Sequence, residues 1–175
     1  MPRIVRHATV AWRGSLSRGS GVASAGTSAF ELPIDLPSRI GEKVDRTSPE
    51  ELLAAAHAGC YATSLAGEIA RAGGTVETLD VRCTVTMDEV EGKGHLIVSS
   101  ELDVTGRADG LDEAGFENAV QAADSGCSFS ALIRASASVS VRAQLAPSEG
   151  RRDGSGTSCV GDLERRPAKR FGNDR

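Results

Sequence analysis

The chain has 175 residues, the length of a single domain, with 39% apolar and only 3% aromatic residues, so its core is built mainly from Ala, Val, Leu and Ile. A formal net charge of −4 offers nothing over the whole chain to draw nucleic acid or an anionic membrane. No apolar run approaches the roughly 20 residues of a membrane span, and Arg3, Arg6 and His7 have no apolar segment behind them, so no signal peptide is expected and the cytoplasm is the default compartment. There, cysteines are more often catalytic, metal-binding or buried than joined in structural disulfides. A sparse core of small side chains also hints at apolar surface buried against a second subunit.

In chain order, residues 4–13 (IVRHATVAWR) suit a strand, and Gly19, Gly21 and Gly26 then punctuate a hairpin. Leu36 to Gly41 reads as a polar break. Residues 48–72 predict a helix: Ser48 is a good N-cap, Pro49 suits the first helical position, Glu51 completes a capping box, and Gly73-Gly74 ends it. Val81, Cys83, Val85 and Met87 alternate with Arg82, Thr84, Thr86 and Asp88, the period of a half-buried strand. Residues 91–94 (EGKG) form a turn, and residues 95–105 are the antiparallel partner strand. Phe116, Ala119, Val120 and Ala123 recur at helical spacing over 112–124, and residues 135–145 alternate again as a last strand. The fold class is α+β, in one domain over 1–146. Pro147–Arg175, with seven basic and five acidic residues and almost no apolar periodicity, is expected to be a disordered tail, with Cys159 incidental in it.

Two cysteines in unrelated segments, Cys60 and Cys127, are the leading candidates for chemistry, because two thiols that the fold brings together can run a reversible oxidation cycle. Cys60 lies deep in the 48–72 helix among small neighbours, Ala56, Thr63 and Ser64, and read by itself is equally a small buried hydrophobe. Cys127 follows Gly126 near a helix start, where free amides favour a thiolate. Cys83 falls on the apolar phase of a strand and reads as core. His7 and His95 are isolated, and His57-x-x-Cys60 lacks further ligands for a metal site, so none is expected. A thiolate nucleophile needs a nearby cation. Arg39 is the first candidate and Arg18 the competitor, with Glu50 or Glu51 to orient the guanidinium. Glu50 and Cys60 are ten residues apart, roughly 15 Å along an unbroken helix. Either the helix breaks, a long arginine bridges the gap, or a second subunit brings the carboxylate.

The run TSPEELLAAAHAGC over 47–60, with Ser38-Arg39-Ile40-Gly41-Glu42-Lys43 before it and Cys127 after, resembles the hallmark of the osmotically inducible protein C (OsmC) family over about residues 6–145. His57 resembles its OsmC branch more than the organic-hydroperoxide-resistance (Ohr) branch, which tends to have Tyr there. The resemblance implies antiparallel sheets wrapped around central helices in an intertwined homodimer. It implies a thiol-dependent peroxidase for organic hydroperoxides, with hydrogen peroxide a poorer substrate, in stress defence. Cys60 would be the peroxidatic thiol and Cys127 the resolving thiol, joined as a disulfide after each turnover. Arg39 would stabilise the thiolate and Glu50 would orient Arg39. No cofactor or metal is implied, only an external dithiol or a lipoylated protein as reductant. The alternative is a redox-sensing or ligand-binding protein of the same fold without efficient turnover, and a third reading is a metal-binding module using His57, Cys60 and Cys127. The chain departs from the family pattern at Ser128, where Pro is usual, and in the tail. The Ala and Gly face of the helix, Gly67 included, predicts dimerisation.

Overall fold

A computed structural model describes residues 3–41 and 45–147. The tail expected over 147–175 lies, from residue 148 onward, outside the described residues.

Two three-stranded sheets frame the molecule. The first has the order β1-β2-β3 (Ala8–Arg13, Ser20–Ala25, Glu31–Ile34), antiparallel throughout. Its first turn depends on Gly19, whose Cα lies so close to the backbone carbonyls of Arg13 and Ser15 that a Cβ there would sit 2.6 and 2.4 Å from their oxygens. The expected first strand is shorter than its apolar pattern, starting at Ala8. Its apolar side chains, Val10 and Trp12, remain exposed to solvent at 58% and 40%. The described residues leave both only partly covered.

The segment read as a polar break contains a one-turn helix, α1 (Leu36–Ile40), capped by Asp35, whose carboxylate accepts the Ser38 amide at 2.7 Å. The expected long helix is present as α2 (Pro49–Arg71) without a break. Ser48 caps it by accepting the Glu51 amide at 3.2 Å, while the Glu51 carboxylate takes the Thr47 hydroxyl at 2.7 Å. The capping box is thus half formed. His57, Tyr61, Leu65 and Ile69 are its buried stripe, one turn apart. Glu51, Ala55, Gly59, Thr63 and Ala70 lie exposed on another face.

The second sheet has the order β4-β5-β6. β4 (Thr75–Val90) and β5 (Gly94–Asp109) form a long antiparallel hairpin. Both strands exceed the sequence expectation, because register shifts between Val76 and Thr78 and between Thr86 and Met87 break the period-two pattern. α3 (Glu113–Gly126) and α4 (Ser128–Arg134) then carry the chain back across the sheet, so β6 (Ser138–Leu145) joins β5 in parallel. Antiparallel pairing therefore holds in both sheets except at this last strand. Residues 135–137, read as strand, instead close the end of α4 through amides donated to Leu132 and Ile133 carbonyls.

The core lies between the second sheet and α2 and α3, from Tyr61, Leu65, Ile69, Leu102, Val104, Phe116, Ala119 and Ala123. Each large apolar side chain buried there contributes about 1.5–3 kcal/mol. Phe116 packs directly over Gly106 of β5, where a Cβ would meet its ring at 2.6 Å. The Tyr61 hydroxyl donates to the Val120 carbonyl at 3.1 Å, tying α2 to α3.

Candidate active site

The site assembles where α2 passes the junction of α3 and α4. Cys60 sits in the fourth turn of α2, half-buried. Cys127 is the residue between α3 and α4 and is 1% exposed. The two sulfurs are 3.2 Å apart, with the Cys127 thiol donating to Cys60. The hydroxyl of Ser128, the first residue of α4, is 3.7 Å from the Cys60 sulfur.

This geometry splits the two thiols. Partial burial pushes the Cys60 thiol up, but hydrogen bonds onto its sulfur from Cys127, the Phe129 amide and the hydroxyl and amide of Ser128 more than offset it, holding Cys60 below the ordinary thiol range. Burial pushes Cys127 up; contacts from Ser130 and Phe129 oppose this, and its bond to Cys60 reinforces it. One thiol is thus set to be the anion and its neighbour to remain protonated. Cys83 is half-buried on β4, 3.2 Å from Ser100 Oγ, and burial pushes it up, in keeping with its reading as core.

Arg39 and Glu50 also find each other. The guanidinium binds both carboxylate oxygens, with Nη2–Oε1 at 2.5 Å and Nε at 3.0 and 3.2 Å, and Nη2 reaches Met87 Sδ at 3.4 Å. Burial pushes the Glu50 carboxyl up, but the Arg39 fork overcomes this and holds it below its usual range. Glu51 does not share the guanidinium; its carboxylate binds Thr47 instead. The Arg39–Glu50 pair does not meet the thiols within the chain. α2 is continuous, so Glu50 stays about 15 Å from Cys60 along its axis, and the Cys60 sulfur is contacted by Cys127 and Ser128. Arg18 is exposed in the turn between β1 and β2.

Two buried hydroxyls and a histidine complete the surroundings. His57, Ser100 and Ser130 are fully buried, and each serine hydroxyl is hydrogen-bonded to a ring nitrogen of His57. Sequence reasoning singled out His57 as a possible metal ligand and as a mark of the OsmC branch, and passed over both serines. A signal existed for Ser100, which occupies a core-phase position of β5 between Val98 and Leu102. Among the described residues no three His, Cys, Asp or Glu side chains are grouped to hold a metal ion.

A profile of the OsmC-like protein family matches residues 41–142 of the chain. The peroxiredoxin OsmC of Escherichia coli K12 is 32% identical over 126 residues, 71% of this chain and 86% of the relative. The chain belongs to the OsmC family. Solved structures agree on the fold: an OsmC-like protein of Vibrio cholerae matches with a TM-score of 0.67 at 13% identity, over 81% of this chain and all of that one. The organic hydroperoxide resistance protein OsmC of Legionella pneumophila gives 0.63 at 19% identity, over 81% and 98%, and OhrB of Bacillus subtilis 0.59 at 20%, over 79% and 98%. In this OsmC-family chain the two cysteines singled out in the sequence, Cys60 and Cys127, are the pair brought into contact. An open groove on the outer face of the β4-β5-β6 sheet, lined by Asp80, Arg82, Asp103 and Arg142, is built from ordinary surface charges, Arg142 pairing with Asp103 at 2.7 Å.

Proposed function

We propose that this chain is a cysteine-based, thiol-dependent peroxidase that reduces organic hydroperoxides to alcohols and hydrogen peroxide less well. The observation that carries the reading is the 3.2 Å contact of two thiols whose surroundings favour a thiolate at Cys60 and a thiol at Cys127. The Cys60 thiolate attacks the terminal peroxide oxygen, the O–O bond breaks, and the departing alkoxide takes a proton to become the alcohol. Cys60 is left as a sulfenic acid. The Cys127 sulfur then attacks it. An S–S bond forms, the S–O bond breaks, and hydroxide leaves with the Cys127 proton as water. A dithiol or lipoylated protein reduces the disulfide by exchange. No cofactor enters this cycle, and it suits the cytoplasm, where thiols are kept reduced.

Arg39 and Glu50 join the site from a second subunit in this reading. Three features support a homodimer: the Arg39–Glu50 pair is held away from Cys60 in its own chain, α2 exposes a face of small residues, and the β1-β2-β3 sheet leaves Val10, Trp12 and Leu16 uncovered. The test is peroxide consumption with a dithiol or lipoyl donor, comparing cumene hydroperoxide with hydrogen peroxide. Turnover that favours the organic peroxide and disappears in Cys60→Ser supports the reading. Oxidation of Cys60 without recycling by any donor overturns it in favour of a sensor.

A further inference from the structure

α2, α3 and α4 meet around the two cysteines, and a side-chain tie joins each pair of these helices. The Tyr61 hydroxyl on α2 donates to the Val120 carbonyl on α3 at 3.1 Å, and Ser130 Oγ on α4 lies 2.9 Å from His57 Nε2 on α2. The tie between α3 and α4 is an ion pair that the thiol chemistry above leaves unused. Arg134, the last residue of α4, donates from Nη2 to Oδ2 of Asp124, two residues from the end of α3. Cys127 stands between these partners, outside both helices. Its amide donates to the Asp124 carbonyl at 3.4 Å, and its carbonyl accepts the Ala131 amide at 3.1 Å. Asp124 thus grips the corner twice, by its carbonyl on Cys127 and by its carboxylate on Arg134. Its other carboxylate oxygen, Oδ1, is buried without a hydrogen-bond partner, so the carboxylate depends on the oxygen that Arg134 holds.

Bond formation between the thiols is sensitive to where this corner lies. The sulfurs are 3.2 Å apart, inside the roughly 3–3.5 Å range from which reacting atoms bond directly. They must close by about 1 Å more to reach the S–S bond length. Cys60 has little freedom to adjust, because α2 is unbroken and its neighbours His57 and Tyr61 are fully buried. Cys127 sits at a joint, so the angle between α3 and α4 sets the contact, and a bond across the joint fixes that angle. Both side chains of the ion pair are partly exposed. Such a pair adds little to global stability, whereas a shift of one ångström at the reacting atoms is felt strongly in rate.

We propose that Asp124 and Arg134 are positioning residues for disulfide formation: their ion pair clamps the α3–α4 corner and holds the Cys127 sulfur at attacking distance from Cys60. The inference rests on the peroxidase reading. In the step concerned, the Cys127 sulfur is oxidised and the sulfenic sulfur of Cys60 reduced; the S–S bond replaces Cys60 S–O and Cys127 S–H, and water leaves. Asp124 and Arg134 exchange no proton or electron in it and act through the place of Cys127. The earlier step, attack of Cys60 on the peroxide, does not use the corner.

Rapid mixing of the full chain with cumene hydroperoxide, quenched with dimedone and read by mass spectrometry, times sulfenic acid and disulfide separately. Asp124→Asn combined with Arg134→Ala removes the clamp and leaves neither charge unpaired. It is expected to slow disulfide formation about tenfold or more, while sulfenic acid formation slows less than about twofold. Arg134→Gln alone is expected to slow the same step, and Arg134→Lys, which keeps a cation on Asp124, to retain most of the rate. Arg142→Ala breaks the Asp103 pair on the outer face of the second sheet and is expected to change neither step. Disulfide formation within about twofold of the unaltered chain in the first two variants, equal slowing of both steps, Arg134→Lys as slow as Arg134→Gln, or the same slowing in Arg142→Ala each overturns the inference alone. If the unaltered chain forms no sulfenic acid at Cys60, the peroxidase reading fails and this inference falls with it.

Discussion

The Cys127 thiol donates to the Cys60 sulfur, and this contact has a measurable consequence. The folded Cys60 is held below the ordinary thiol range, so its thiolate contributes stability fully present above the unfolded thiol pKa of about 8.5. That contribution is lost as pH falls through the lower folded value. Alkylation of reduced protein by iodoacetamide, read site by site, is expected to give Cys60 a lower midpoint than Cys127. Coincident midpoints for the two would contradict the account. Ser128→Ala removes one hydroxyl from the Cys60 sulfur and is expected to move the Cys60 midpoint upward, read in the same titration. The two reactive cysteines were legible because each sits in a segment with its own character, one in a helix of small residues, the other at a helix start. Ser100 was signalled only by its core-phase place in β5, and Ser130 not at all, because a serine finds its meaning in a partner from a distant segment.

Helix α2 was legible from end to end because local chemistry decides it: a Ser48 cap, a first-turn proline and a glycine stop. Ser48→Ala is expected to cost about 1 kcal/mol, seen as a lower urea midpoint with an unchanged slope; no change would mean that the cap is redundant. The long hairpin was only partly legible, since its bulges shift which side chains face inward, and Gly106 looks like a break where it is a seat for Phe116. Phe116→Ala empties that seat and is expected to cost about 3–5 kcal/mol, measured by the same unfolding curve. A cost below about 1 kcal/mol would show that the core closes over the gap. The parallel docking of β6 was not legible, because strand direction follows from how α3 and α4 return across the sheet rather than from the strand's own alternation.

Among the described residues, the first sheet and one face of α2 are exposed, and the sequence pointed to the helix face through its small residues. The strand reading of residues 4–13 does not foresee that Val10 and Trp12 stay exposed. Gly67 of α2 has only the tip of Arg71 near the position of a Cβ, at 3.8 Å, so Gly67→Leu is accommodated within one chain and, in the proposed homodimer, obstructs the second copy. It is expected to lower the mass measured by sedimentation towards the monomer and to reduce turnover together with it, as Arg39 and Glu50 no longer reach Cys60. An unchanged mass would place the contact elsewhere. The central claim, that Cys60 and Cys127 carry one redox cycle, is tested most directly by intact-mass analysis after stoichiometric cumene hydroperoxide without reductant. The account predicts loss of two hydrogens as a Cys60–Cys127 disulfide, and in Cys127→Ser a gain of one oxygen at Cys60 that dimedone traps. An unaltered mass, or a disulfide that involves Cys83 instead, would contradict it.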